Sequence, residues 1–325
     1  MIADMHCDTL AVINSEKKKG KALPLRDGAG LMVNLEKMKK GDYLFQNFAV
    51  FIDLQEEGDP FDHAMELVDI FEQEMAQNQD LIRQAVNCRE VEENRRNGKL
   101  SAVLTLEDGG MCRGEIEKLH DFYKKGARMM TLTWNYENEL GYPAALEPEQ
   151  GDCRPDPSFG LKKRGFEFLE EMEAMGMIID VSHLSDAGFY DVCDFCRNPF
   201  VASHSDARSV FGCRRNLTDT MLHMLGEKGG VAGLNFYPVF LGQEEPPTGC
   251  LDAICRHALH MADCAGMESV GLGTDFDGFA ETSHPADGAQ MDDLAFALHK
   301  AGFTERETEG ILYRNVMRLY REVLK

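Results

Sequence analysis

The sequence predicts a (β/α)8 barrel of the TIM-like, metal-dependent hydrolase type. It reads as a single catalytic domain over residues 1–325 that ends in a C-terminal helix. Three observations predict it. Short apolar, β-branched runs recur along the chain. Longer amphipathic stretches separate them. Several runs end in a histidine or a carboxylate.

The runs cover residues 2–6, 45–52, 101–107, 129–133, 177–183, 200–204, 231–236 and 269–275, eight in all. Near-continuous apolar strands separated by helices mean parallel strands buried on both faces. Residues 61–86 predict one long helix or two. Residues 161–175 place Leu161, Phe168, Leu169, Met172 and Met175 close to one helical face, and Gly176 stands where that helix would stop. Thr218 or Asp219 can cap a helix closed by Gly229 and Gly230. Residues 304–324 are helical by composition, with Ile311, Val316, Leu319 and Val323 facing inward. A doubly wound open sheet competes with the barrel. Three loops, 141–160, 237–249 and 276–288, are rich in Pro, Gly and acids. Each follows a predicted strand, which places it on the C-terminal face where barrel enzymes keep their sites.

Composition narrows the function. Hydrophobic residues make up 43% of 325, enough for a core and against a disordered chain. A formal charge of −22 argues against partners bound by net attraction, such as nucleic acid or an anionic membrane. There is no apolar run of about 18 residues to span a bilayer. The start, with polar Asp4, His6 and Asp8, does not read as a secretion signal. The ten scattered cysteines are therefore expected to be reduced thiols in a cytoplasmic protein. Oligomeric state stays open, with a homodimer allowed.

The strand ends carry the chemistry. The first run ends His6-Cys7-Asp8, the third in Glu107, the fifth in His183, the sixth in His204 and the eighth in Asp275. In a barrel these ends converge on one rim. Imidazole favours zinc and its first-row neighbours, and carboxylates chelate or bridge. On a strand of period two, His6 and Asp8 share a face and can reach one ion. Three imidazoles and three carboxylates suit two divalent ions, with Glu107 as a bridge and a shared hydroxide as nucleophile. Asp4 reads as a turn or supporting residue. The remaining seven histidines read as solvated or packed, including His257 and His260 three residues apart on one helix. Cys193-x-x-Cys196 reads as buried thiols. Arg214-Arg215, in the loop after the sixth strand, suits an anion, or alternatively a surface ion pair.

Seven segments resemble the membrane dipeptidase (renal dipeptidase) family of zinc metallopeptidases. They are Asp4-Met5-His6-Cys7-Asp8, Thr105-Leu106-Glu107-Asp108-Gly109-Gly110, Leu132-Thr133-Trp134-Asn135, Ile179-Asp180-Val181-Ser182-His183, Ser203-His204-Ser205-Asp206-Ala207, Arg214-Arg215-Asn216 and Gly273-Thr274-Asp275-Phe276-Asp277-Gly278. The resemblance implies two zinc ions per chain, one held by His6, Asp8 and Asp275 and the other by His183 and His204, with Glu107 and a hydroxide between them. It implies that Asp275 handles protons and that Arg215 holds a dipeptide's terminal carboxylate. It also implies tolerance of a D-residue on the carboxyl side. The chain departs from the family's Leu-Thr-His at Trp134, where a substrate-facing histidine is expected, so that either the zinc ions do that work alone or a neighbour such as Asn135 or Tyr136 helps. Two other readings remain. One is an amidohydrolase-type barrel acting on another amide, a lactone or a phosphoester, although His6-x-Asp8 is not its usual His-x-His. The other is a metal-binding protein that has lost catalysis.

Overall fold

The computed structural model describes residues 1–145, 156–242, 250–280 and 283–325. The expected loops 141–160, 237–249 and 276–288 lie partly outside the described residues. The strands are β1 (Ile2–Asp4), β2 (Tyr43–Phe51), β3 (Ile82–Gln84), β4 (Leu100–Glu107), β5 (Ala127–Thr131), β6 (Ile178–Asp180), β7 (Val201–Ala202), β8 (Val231–Leu234) and β9 (Val270–Leu272). All pairings are parallel. β1 joins β2 on one side and β9 on the other, and β2 joins β4, so eight strands close into a barrel. β3 pairs only with the start of β4 and lies outside the ring.

The helices are α1 (Thr9–Lys18), α2 (Leu35–Lys40), α3 (Pro60–Gln77), α4 (Cys88–Arg96), α5 (Ile116–Lys124), α6 (Lys163–Met175), α7 (Asp186–Phe195), α8 (Asp219–Glu227), α9 (Cys250–Ala265), α10 (Met291–Ala301), α11 (Glu305–Glu309) and α12 (Asn315–Val323). Sequence punctuation accounts for their ends. Thr218 caps α8 by accepting the Met221 N–H, and Gly176 ends α6 in the left-handed conformation. One expectation is corrected. Residues 61–86 are not one or two helices, because α3 stops at Gln77 and β3 follows. Alternating burial over three residues is too short a pattern to show in sequence.

The C-terminal segment runs through α11, a π-turn (Gly310–Arg314) and α12. It packs beneath the barrel, at the starts of the strands. Asn315 Nδ2 donates to the carbonyls of Met267 and Val270 at 2.7 and 2.8 Å. Arg318 donates to Gly229 O, just before β8, at 2.9 Å. The Tyr320 ring stacks on Phe45 at 5.1 Å, and its hydroxyl accepts from Asn47 Nδ2 at 2.6 Å. Ile311, Val316, Leu319 and Val323 are buried, as the sequence predicts.

Two glycines set how closely the strands approach near β7. A Cβ on Gly273 would lie 1.6 Å from the Ser203 carbonyl oxygen, and one on Gly233 would lie 2.0 Å from the same atom. Only hydrogen fits there. The close approach draws the ends of β7 and β9 together, and these ends carry His204 and Asp275.

His257 is a packed histidine, as expected. It is fully buried on α9, and its Nδ1 accepts the Ala207 N–H at 3.1 Å. Burial pushes its pKa down to about 4. The unfolded chain, with an ordinary histidine, therefore binds more protons between that value and about 6.5. Stability from this site is complete above pH 6.5 and is lost as pH falls toward 4. Replacing His257 by Asn, which keeps an acceptor for Ala207, should flatten the acid limb of a urea-midpoint profile by up to about 3 kcal/mol at roughly 1.4 kcal/mol per pH unit.

Candidate metal centre

The expected strand-end residues meet at one rim, but most lie two to four residues beyond the strands that carry them. β1 stops at Asp4, β6 at Asp180, β7 at Ala202 and β9 at Leu272. Glu107 is the exception and is the last residue of β4, opposite Phe51 of β2. The shared pleat expected for His6 and Asp8 is corrected. Cys7 forms an isolated bridge to Phe276, and Asp8 precedes the first turn of α1 with φ −102° and ψ 21°. The two side chains converge because the backbone turns after the strand, with His6 Nε2 3.4 Å from Asp8 Oδ2.

Glu107 stands at the centre. Its Oε2 lies 3.2 Å from His6 Nε2. Its Oε1 lies 3.2 Å from His183 Nε2 and 3.6 Å from His204 Nε2. Each oxygen of one carboxylate thus faces a different imidazole set. Asp275 Oδ1 lies 3.8 Å from His6 Nε2, which groups His6, Asp8 and Asp275 on one side. His183 and His204 oppose their Nε2 atoms at 3.0 Å on the other. Ligand atoms of His6, Glu107 and His204 all lie within 4.8 Å of one another.

This arrangement fits divalent cations and fits hydrogen bonding poorly. One ring nitrogen carries either a hydrogen or a lone pair. His6 Nε2 meets three carboxylates yet, among the described residues, makes no hydrogen bond, and Asp8 Oδ1 is likewise buried without a partner there. A tetrahedral zinc ion sets nitrogen and oxygen donors about 3.3–3.6 Å apart, given bonds of about 2.0–2.2 Å. Most of the separations above lie in or near that range. The cradle is also free of bulk, since a Cβ on Gly278 would lie 2.5 Å from both Asp275 Oδ1 and Asp8 Oδ2.

The tautomers are arranged for metal. Ser203 Oγ donates to Asp180 Oδ2, so it accepts from His204 Nδ1 at 2.7 Å. His183 Nδ1 donates to Asn135 Oδ1 at 3.2 Å. Both Nε2 lone pairs are thereby turned toward Glu107.

Electrostatics without cations show what the site lacks. Burial pushes Asp275 up to about 7, with Asp8 and Glu107 adding to the rise against the pull of His6. Burial and Glu107 raise Asp8. Burial, then the Arg215 charge, pushes His183 down to about 4, and burial holds His204 well below its usual value. Burial also opposes the charges of Glu107 and His6. Their mutual attraction overcomes it, holding Glu107 low and His6 high. Cations would relieve the clustered carboxylates and favour unprotonated imidazoles.

Arg215 and Trp134 flank the cluster. Arg215 donates to Ser205 Oγ at 3.0 Å and to the His204 carbonyl at 3.1 Å, and its Nε has no hydrogen-bond partner among the described residues. Trp134 packs edge-on against Phe51 and Tyr136, at 4.8 and 5.5 Å between ring centres, and stands 6.2 Å from the His183 ring. Arg214 is directed elsewhere and donates to the Ala144 carbonyl.

Five aspartates surround the cluster, four of them buried and Asp277 partly so, and sequence reasoning gave a role only to Asp4. Asp180 accepts from the Ser182 and Ser203 N–H groups at 2.9 and 2.8 Å and from Thr131 Oγ1 at 2.7 Å. Asp4, expected to be a supporting residue, accepts from Thr274 N and Oγ1 at 2.9 and 2.7 Å. Asp108 accepts from Trp134 N at 3.1 Å and Asn138 Nδ2 at 2.6 Å. Asp206 accepts from Asn235 N at 3.2 Å. Asp277 accepts from Thr9 Oγ1 and Met32 N, both at 2.6 Å. Each ties one strand's exit to another segment of the rim. Asn235 also donates through Nδ2 to Asp275 Oδ2 at 2.9 Å. The available signal was an aspartate within or just after an apolar run, where a buried charge needs several donors.

Two predictions follow from this geometry. Asp180→Ala strips an acceptor from buried donors and should cost about 3 kcal/mol or more, read from chemical denaturation. Gly278→Ala should force Asp8 and Asp275 apart and weaken divalent-metal retention by about 10–100-fold in competition with a chelator, the range for groups that orient ligands.

Known proteins bear on this centre. The family model described as membrane dipeptidase (peptidase family M19) matches residues 1–325. An uncharacterized protein in the pqqA 5' region of Klebsiella pneumoniae is 30% identical over 275 residues, covering 82% of this chain and 98% of that protein. An uncharacterized dipeptidase of Schizosaccharomyces pombe is 28% identical over 339 residues, covering 99% of this chain and 80% of that protein. In fold, the chain is similar to a metallo peptidase from Rhodobacter sphaeroides crystallised with a phosphinate mimic of L-Ala-D-Ala. The TM-score is 0.90 at 24% identity, covering 99% of each chain. With the family model matched from end to end, the chain belongs to the membrane dipeptidase family of metallopeptidases, peptidase family M19.

Proposed function

We propose that this family member is a zinc dipeptidase. It holds two ions between His6, Asp8 and Asp275 on one side and His183 and His204 on the other, with Glu107 between them. The observation that carries the reading is the split of Glu107, whose two oxygens face separate imidazole sets. Zinc so held supplies Lewis acidity toward the scissile carbonyl and lowers the pKa of water to about 7.

The chain's own groups do the rest. Asn235 Nδ2 fixes Asp275 Oδ2, which leaves Oδ1 turned toward the ligand cluster. Asp275 takes a proton from the attacking water and gives it to the leaving amine. Arg215 is held by Ser205 and the His204 carbonyl, and offers its Nε side to a dipeptide's terminal carboxylate. Asn135 orients His183. Trp134, with Phe51 and Tyr136, presents an aromatic wall where the family resemblance expects a histidine. That wall favours an apolar substrate side chain and supplies no donor ring nitrogen beyond the indole N–H. A D-residue on the carboxyl side is part of the proposed substrate range.

Among the described residues no helix is long and apolar enough to cross a membrane. The nine described cysteines are free thiols, and Cys193 and Cys196 are both buried. These thiols suit the proposed cytoplasmic setting.

The test is turnover of a panel of L,L- and L,D-dipeptides after chelation and zinc re-addition. No turnover of any member with zinc restored would overturn the proposal and favour a metal-binding protein without catalysis. Glu107→Gln should empty both rim sites and abolish activity, measured by metal analysis beside kinetics. Arg215→Ala should lower kcat/KM by the equivalent of about 2–5 kcal/mol, chiefly through KM, as expected when one partner of a buried charge pair is removed.

A further inference from the structure

Outside the barrel rim, the packing of α8 on α9 brings three donors of different chemistry to one point. His260 and Cys264 are four residues apart on α9, so they share a helical face. Asp219 is the first residue of α8. His260 Nε2 lies 2.7 Å from Asp219 Oδ1 and 3.5 Å from Cys264 Sγ. All three donor atoms lie within 4.8 Å of one another.

Hydrogen bonding gathers this trio on one carboxylate. If Nε2 carries a hydrogen, it donates to Asp219, and the thiol turns to the same carboxylate. If Nε2 carries a lone pair, it can accept from the thiol but then confronts the Asp219 carboxylate, lone pair against lone pair. A cation at the centre suits all three. Nitrogen and sulfur bound to one tetrahedral zinc ion at about 2.05 and 2.3 Å stand about 3.5 Å apart, which is the separation found between His260 and Cys264. The Asp219 contact would lengthen on binding. The side chains are partly exposed, which leaves a path for the ion and room for a water as fourth ligand.

We propose that Asp219, His260 and Cys264 form a further divalent-metal site, selective for borderline-soft ions of the zinc class, that ties α8 to α9. The set mixes one carboxylate, one imidazole and one thiolate, which suits zinc or cobalt over magnesium or calcium. Loading sends the thiol proton to solvent, because the thiolate is the ligand. The site shares no residue with the rim centre and does not depend on it.

The test uses the full chain loaded with Co2+ and, separately, with Zn2+. Cobalt should give a thiolate-to-metal charge-transfer band in the near ultraviolet, since the rim ligands include no sulfur. The band should vanish in Cys264→Ala and persist in Glu107→Gln, which separates this site from the rim. With zinc, Cys264→Ala and His260→Ala should each retain one equivalent per chain less than the parent, with dipeptide turnover unchanged. Absence of the band in the parent chain, or equal zinc content in the parent and both variants, would overturn the proposal.

Discussion

Asp8, Glu107 and Asp275 are brought within about 4 Å of the His6 ring nitrogen at the mouth of a closed barrel, and nothing in the chain neutralises all three. Among the described residues, His6 offsets part of this charge through its attraction to Glu107, and the Arg215 guanidinium beside the cluster is itself disfavoured by burial. Left to protein groups alone, the site settles by neutralising most of its members: Asp275 and Asp8 are pushed up, and His183 and His204 are pushed down. Divalent cations relieve that conflict, and the remainder of the rim holds these side chains in place.

The barrel achieves this with very short strands. Once a strand ends, its backbone is free to take conformations that a ladder forbids. His183 and Asp275 both sit at positive φ, 66° and 62°. Asp108 and Asp277 do too, at 83° and 68°. Such conformations cost of order 1–3 kcal/mol each in a non-glycine residue and persist only where surrounding contacts over-determine them. Five aspartates supply those contacts. Asp4, Asp108, Asp180, Asp206 and Asp277 each accept hydrogen bonds from another exit of the barrel, so the rim is tied together around the ligands. The opposite end is closed by Tyr320 and Asn315, which leaves the C-terminal face for chemistry.

Charge is local in this protein. The chain carries −22 overall, yet the substrate side of the rim presents a guanidinium. An acidic exterior repels anions at long range, within a screening length of about 10 Å at ordinary salt. It has little say at the rim, where Arg215 brings a local positive charge beside the cluster. The aromatic wall of Phe51, Trp134 and Tyr136 on the other flank is uncharged, and recognition there rests on shape and apolar contact.

The eight barrel strands were legible because each is an apolar run buried on both faces, and the rim cluster was legible because histidines and carboxylates at the ends of such runs have few other reasons to be there. β3 was not legible: three residues beside the barrel make no pattern that distinguishes them from the tail of α3. The supporting roles of Asp180, Asn235 and Gly278 were not legible either, since the first two are defined by partners 23 and 40 residues away and Gly278 by an absent side chain. The pairing of His260 with Asp219 and Cys264, in place of His257, depends on which helix faces meet.

By itself the sequence determined the donor types, their order and the strands that deliver them, because burial period and residue chemistry are local properties. Only the tertiary structure decided which oxygen of Glu107 faces which imidazole, which tautomer each histidine keeps, and that His6 and Asp8 meet across a turn rather than along a strand. Those outcomes depend on backbone torsions past the strand ends, which are set by hydrogen bonds between segments far apart in the chain.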